Sequence, residues 1–133
     1  MSDKTPLSLL MVDVGQIFAQ NVDAAAARLP MLQQVRAMWL EEPFHTSALH
    51  AYAGLAAQSK VKLAGGEGAH NLYMARHLID YGKVGFLQID TGRIGGLGPA
   101  KLAADYAVSK NVTFVNHTFT SHLALSASLQ PYA

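Results

Sequence analysis

The chain has 133 residues, enough for one domain with its own core, and a net charge of +1. That balance gives no electrostatic case for nucleic acid or a membrane surface as partner, and the absence of cysteine excludes disulfides, thiol catalysis and Cys-ligated zinc. Half of the residues are hydrophobic and only 14% are charged, well under the usual ~25%, so much of the surface is expected to be buried, part of it against another chain.

Lys4 precedes a short apolar run that breaks at Asp13. It is too short for a signal peptide or a membrane span, so a cytoplasmic location is expected. Residues 8–13 read as a first strand: a continuous apolar run ending on Asp13, the pattern of a parallel strand covered on both faces. Asn21 or Asp23 is placed to cap a helix that starts at Ala24, and Pro30 should end or kink it, with 31–37 resuming as helix. Residues 38–43 form a second short apolar run that ends on Glu41 and Glu42 before Pro43. Thr46 or Ser47 is placed to cap a third helical stretch to about Ser59, with Leu49, Ala53, Leu55 and Ala56 as its apolar stripe. The run 61–67 is the third strand, ending on Glu67. Residues 69–81 read as helix, with Leu72, Ala75, Leu78 and Ile79 on one face and Gly82 as the stop. The run 84–90 is the fourth strand, ending on Asp90, and Pro99 suits the first turn of a helix through Val108. Residues 112–117 are the fifth strand, ending on His117, and 118–130 a last helix.

Strand and helix alternate throughout, which predicts an α/β fold with a parallel sheet and right-handed crossovers. No composition shift, low-complexity tract or long linker interrupts the chain. The strand-end residues recur every 23 to 28 positions, close to the ~30 residues of a βαβ unit.

Asp13, Glu41, Glu67 and Asp90 thus close four successive strands, and His117 closes the fifth. In a parallel α/β sheet or barrel these ends share one rim, where ligands bind. Carboxylates converging there raise one another's pKa unless a cation lies between them. Three oxygen ligands on separate strands suit Mg²⁺ or Mn²⁺. A histidine beside a further carboxylate suits a general base with the acid orienting its ring. An acid just past a single strand commonly caps the next helix or stays solvated. Four in register, followed by a histidine in the fifth place, argue against that reading for the set. Glu42 lies next to the site and reads as support behind it or as solvated. Arg93 reads as the partner of a neighbouring acid rather than of substrate. Trp39 reads as core, and His45, His50, His70, His77 and His122 as surface or packing residues. The run 92–98 lacks the G-x-G-x-x-G spacing of a dinucleotide site and reads as a tight turn.

Asp13, the WLEEP run at 39–43, Gly65-Gly66-Glu67, Gln88-Ile89-Asp90 with Arg93-Ile94-Gly95-Gly96, and Val115-Asn116-His117 resemble the enolase superfamily. Within it they are most similar to the mandelate racemase and muconate lactonizing enzyme group, which includes acid-sugar dehydratases. The likeness runs from about Leu9 to Ala133. It implies a partial TIM-type (β/α) barrel of about five parallel βα units, corresponding to strands three to seven. It implies further that Asp13, Glu41 and Glu67 are magnesium ligands, and that His117 and Asp90 form a His–Asp dyad in which His117 removes the proton α to a carboxylate. Such a proton is weakly acidic, so charge must be absorbed as the enediolate forms.

The family's barrel has eight strands, and here a Lys-x-Lys strand before Asp13, a last strand and an N-terminal capping domain are missing. Residues 1–7 do not resemble family sequence and read as a leader to a single incomplete barrel domain, 1–133. Gly15 stands where the family often has Asn. Two functions follow. The first is the metal and His–Asp half of a Mg²⁺-dependent site acting on a small carboxylate or acid-sugar substrate. The second is a non-catalytic truncated relic, or an oligomer-forming module, that keeps the carboxylates. Open strand edges and low charge lead us to expect a homo-oligomer or pairing with a complementing chain. A monodisperse monomer in light scattering would count against it.

Overall fold

The computed structural model describes residues 9–133. Five parallel strands, β1 (Met11–Asp13), β2 (Trp39–Glu41), β3 (Lys62–Gly65), β4 (Phe86–Asp90) and β5 (Thr113–His117), form one sheet in the order β1-β2-β3-β4-β5. Six helices connect and follow them: α1 (Val22–Ala26) and α2 (Leu29–Gln34) between β1 and β2, α3 (Leu49–Ala56), α4 (Leu72–Asp80), α5 (Leu97–Ser109) and α6 (His122–Leu129). A last 3₁₀ turn spans Gln130–Tyr132. This is the alternation read from the sequence, and the strand order is that of consecutive units of a (β/α) barrel. Among the described residues, no helix is long and apolar enough to cross a membrane.

The strand side chains alternate between two environments. Leu40, Leu63, Leu87, Ile89 and Phe114 point toward the helices and join the main core with Phe44, Tyr52, Leu55, Leu78 and Ala103. The opposite face holds a smaller cluster, in which the Trp39 and Phe86 rings lie 4.8 Å apart beside Ala64, Met38 and Val115. Trp39 is therefore core, as expected, but core of the inner face.

Local chemistry explains several boundaries. Asn21, Asn71 and Ser121 cap α1, α4 and α6, their side-chain oxygens accepting from Ala24, Met74 and Ala124 backbone N–H groups. Pro30 lies in the first turn of α2, so the break between the two helices falls before it, at Ala27–Arg28. The expected Thr46 or Ser47 cap on α3 is not made: the helix follows Ala48 without a side-chain cap. Thr46 is buried and donates instead to Glu42 Oε1 at 3.4 Å. The buried face of α3 is Ala51, Tyr52 and Leu55, with Leu49 and Ala56 packed against the core; of the expected stripe only Ala53 falls outside it. Tyr52 passes its hydroxyl to the Phe44 carbonyl at 3.1 Å and fills the space beside Gly65.

The two outer edges differ. At the start of β1, Met11 and the preceding Leu9 and Leu10 are 41% to 70% exposed. On β5, the Tyr132 ring stacks edge-on against Phe114, and its hydroxyl accepts from the Asn116 N–H at 2.9 Å.

Gly66 follows β3 at φ +123, and a Cβ there would stand 2.6 Å from the Gln88 carbonyl oxygen. Gly66→Ala is therefore expected to lower stability by at least about 2 kcal/mol in urea unfolding. Gly54→Ala, inside α3 with only ordinary contacts to Val22 at 3.6 Å, should raise stability by about 0.5–1 kcal/mol.

Candidate functional site

Parallel register sets the rim. Asp13 pairs with Glu41 across β1 and β2, and Asp90 with His117 across β4 and β5. All four are strand-terminal, and alternation puts them on the inner face with Trp39 and Phe86. Glu67 follows Gly66, outside the strand, so its direction is set by a turn rather than by the pleat.

Asp90 and His117 form the best-ordered pair. Asp90 is 9% exposed. Its Oδ2 lies 2.9 Å from His117 Nδ1, and its Oδ1 accepts from the Gly92 and Arg93 backbone N–H groups at 2.9 and 3.0 Å. Burial alone would raise the Asp90 pKa. The Arg93 N–H, the bond and charge of His117 and the Gly92 N–H outweigh it and hold the carboxyl below its ordinary value. The turn after β4 thus builds a fixed carboxylate that orients the imidazole ring.

The other ring nitrogen, His117 Nε2, lies 3.1 Å from Glu67 Oε2. Glu67 Oε1 in turn accepts from Arg93 Nη1 at 2.9 Å. Arg93 therefore pairs with a neighbouring acid, as the sequence suggested.

Glu41 Oε2 accepts from Trp39 Nε1 at 2.9 Å, and Asp13 Oδ1 from the Gly15 N–H at 2.9 Å. Among the described residues, no three His, Asp or Glu side chains stand close enough together to hold a metal ion. The donor type fits a hard cation such as Mg²⁺, since three carboxylates stand at or just past three neighbouring strand ends. Glu67 faces His117 and Arg93.

Glu42 is 4% exposed and takes φ +41 directly before Pro43, an unusual backbone for a non-glycine residue. Gln16 Nε2 donates to it at 2.6 Å, and Gln16 Oε1 meets His45 Nδ1 at 2.8 Å. Burial raises the Glu42 pKa, opposed by the Gln16 and Thr46 hydrogen bonds and reinforced by the charges of Glu67 and Asp13. Tyr52 is pushed up by burial first, then by the charges of Glu42, Glu41 and Glu67. Both groups record a negative field centred on the rim. His45, His50, His70, His77 and His122 are all exposed.

The sequence reading passed over three residues. Gln16 has no sequence signal. Gln88 lies on the inner face between Phe86 and Asp90, 4% exposed, with its Oε1 unpartnered among the described residues. Phe119 stands two positions past His117 and packs on both Arg93 and His117, with centroid distances of 4.7 and 5.6 Å. Beside the dyad, a groove of about 580 Å³ runs between Arg93, Leu97, Phe119, Leu123 and Ala124.

Residues 3–133 match the model of the enolase C-terminal domain-like family. The chain belongs to that family. The match begins inside the stretch 1–7 that the sequence sets apart, all of which lies outside the described residues. Three relatives of this enolase-type domain illustrate the likeness. A D-galactonate dehydratase from Variovorax paradoxus (strain S110) is 30% identical over 123 residues, covering 91% of this chain and 32% of that protein. A crystal structure of a predicted mandelate racemase from Rhodobacter sphaeroides is 64% identical, with a TM-score of 0.89 over 95% of this chain and 32% of its own. A variant of L-talarate/galactarate dehydratase, crystallised with Mg and L-glucarate, is 29% identical, with a TM-score of 0.78 over 90% of this chain and 30% of its own. The chain thus spans about a third of the length of these relatives.

Because the Asp90 pKa is lower folded than unfolded, its contribution to stability is present above about pH 4 and is lost as pH falls through the folded value. Melting temperature followed between about pH 5 and 2 should fall more steeply for the wild type than for Asp90→Asn.

Proposed function

We propose that this enolase-type chain carries the metal-binding and His–Asp half of a Mg²⁺-dependent site that removes a proton α to a carboxylate, with acid sugars as the substrate class. The observation that carries the reading is the 2.9 Å pairing of His117 Nδ1 with Asp90 at matched strand ends, on a rim that bears three further carboxylates. The named activities of the relatives, dehydratase and racemase, agree with it.

Asp13, Glu41 and Glu67 would hold Mg²⁺, or Mn²⁺ in its place. Bound there, the ion supplies positive charge against which a substrate carboxylate takes up negative charge as the proton leaves. Asp90 keeps the proton of His117 on Nδ1, which directs the basic lone pair to Nε2. His117 Nε2 accepts the substrate proton, and Asp90 stabilises the imidazolium that results. In a dehydration, the same imidazolium can return its proton to the departing hydroxyl, so one base suffices. Racemisation needs a second base on the opposite face of the substrate.

The contact between Glu67 and His117 favours a second reading, in which the chain keeps its carboxylates without turnover and pairs with a second copy or a complementing chain. The exposed apolar residues Leu9, Leu10 and Met11, leading into β1, support such pairing.

Calorimetric titration of the whole chain with Mg²⁺ is expected to give binding that Glu67→Ala abolishes, and no binding in the wild type would sink the metal half of the reading. On a panel of acid sugars, wild-type dehydration should fall about 10³-fold in His117→Ala. Binding without turnover would favour the second reading.

A further inference from the structure

Among the described residues, Arg93 is a basic side chain at the rim that neither the ligand set nor the base pair uses. Its guanidinium is held from two sides. Nη1 donates to Glu67 Oε1 at 2.9 Å and approaches the Glu67 carbonyl oxygen at 3.4 Å. Its Cζ stands 4.7 Å from the centre of the Phe119 ring, which itself lies 5.6 Å from the His117 ring. Phe119 is 66% exposed, so burial does little to hold it, and a cation–π contact is the interaction that fits. The turns after β3, β4 and β5 are thereby tied together through Glu67, Arg93 and Phe119. The tied carboxylate rests its other oxygen 3.1 Å from His117 Nε2, the atom that must be free to take a proton.

We infer that Arg93 and Phe119 form a latch that keeps Glu67 on His117 until a divalent cation draws Glu67 away, an inference that rests on the metal reading above. The guanidinium gives Glu67 the positive partner that the cation would otherwise provide. Cation loading exchanges that partner: Glu67 leaves Arg93 Nη1 and His117 Nε2 together, and Nε2 becomes available to substrate. Arg93 is on this account a positioning residue that couples loading of the carboxylates to exposure of the base. The coupling is thermodynamic, since whatever holds Glu67 on His117 opposes cation binding by the same factor. Exposed ion pairs and cation–π contacts of this kind are individually modest, so the latch tunes affinity without forbidding binding.

The test is calorimetric titration of the whole chain with Mg²⁺, as wild type, Arg93→Gln, Arg93→Lys and Phe119→Ala. The latch predicts binding about tenfold tighter in Arg93→Gln and about threefold tighter in Phe119→Ala, with Arg93→Lys between wild type and Arg93→Gln. Phe119→Ala leaves every charge in place. Tighter binding in Arg93→Gln with no change in Phe119→Ala would therefore reduce Arg93 to simple repulsion of the cation and overturn the latch. The ¹⁵N resonance of His117 Nε2 gives a second readout. It should move on Mg²⁺ addition in the wild type, and should already be displaced without Mg²⁺ in Arg93→Gln. Equal affinity across all four proteins overturns the latch and leaves the metal reading standing. Absence of binding in all four overturns both.

Discussion

Parallel pairing in matched register is the constraint on which the rest of this molecule depends. Asp13 opposite Glu41, and Asp90 opposite His117, are consequences of where the strands align, and the alignment is fixed from the other face. Leu40, Leu63, Leu87 and Ile89 must all reach the helices, and a slip of one residue in any strand would send them inward and its strand-end polar group outward. The packing that stabilises the fold is thus the same packing that brings the polar residues to one rim.

The rim concentrates negative charge. Four carboxylates, with Glu42 behind them, face few positive groups, and their charges add to the burial that raises the pKa values of Glu42 and Tyr52. Three kinds of compensation are visible. Asp90 is satisfied by backbone N–H groups and His117, and Glu41 by the Trp39 indole. Glu67 is satisfied by the one guanidinium within reach. Each of these three carboxylates thus has a donor of its own within the chain.

Much of this was legible in the sequence, for reasons that are local. Continuous apolar runs ending on an acid marked the strands, and Asn21 marked a helix start because its side chain competes for a nearby backbone N–H. Pairing of Arg93 with an acid followed from the excess of carboxylates around it. What could not be read depends on contacts between distant segments. Thr46 looked like a helix cap, but burial against Glu42 diverted its hydroxyl. Tyr52 joined the core because Gly65, on another element, leaves it room. The direction of Glu67 follows from a backbone turn at Gly66 and from Phe119, more than fifty residues away.

The unequal edges of the sheet bear on how copies of the chain can meet. Tyr132 occupies the outer side of β5 at Phe114 and Asn116, whereas β1 remains bare. Edge-to-edge growth of a fibre needs two open, complementary edges on each molecule. On β5, Tyr132 takes up the Asn116 N–H, a backbone donor that a further strand would otherwise pair with. A single side chain from the last turn thereby stands in for part of a strand's hydrogen bonding.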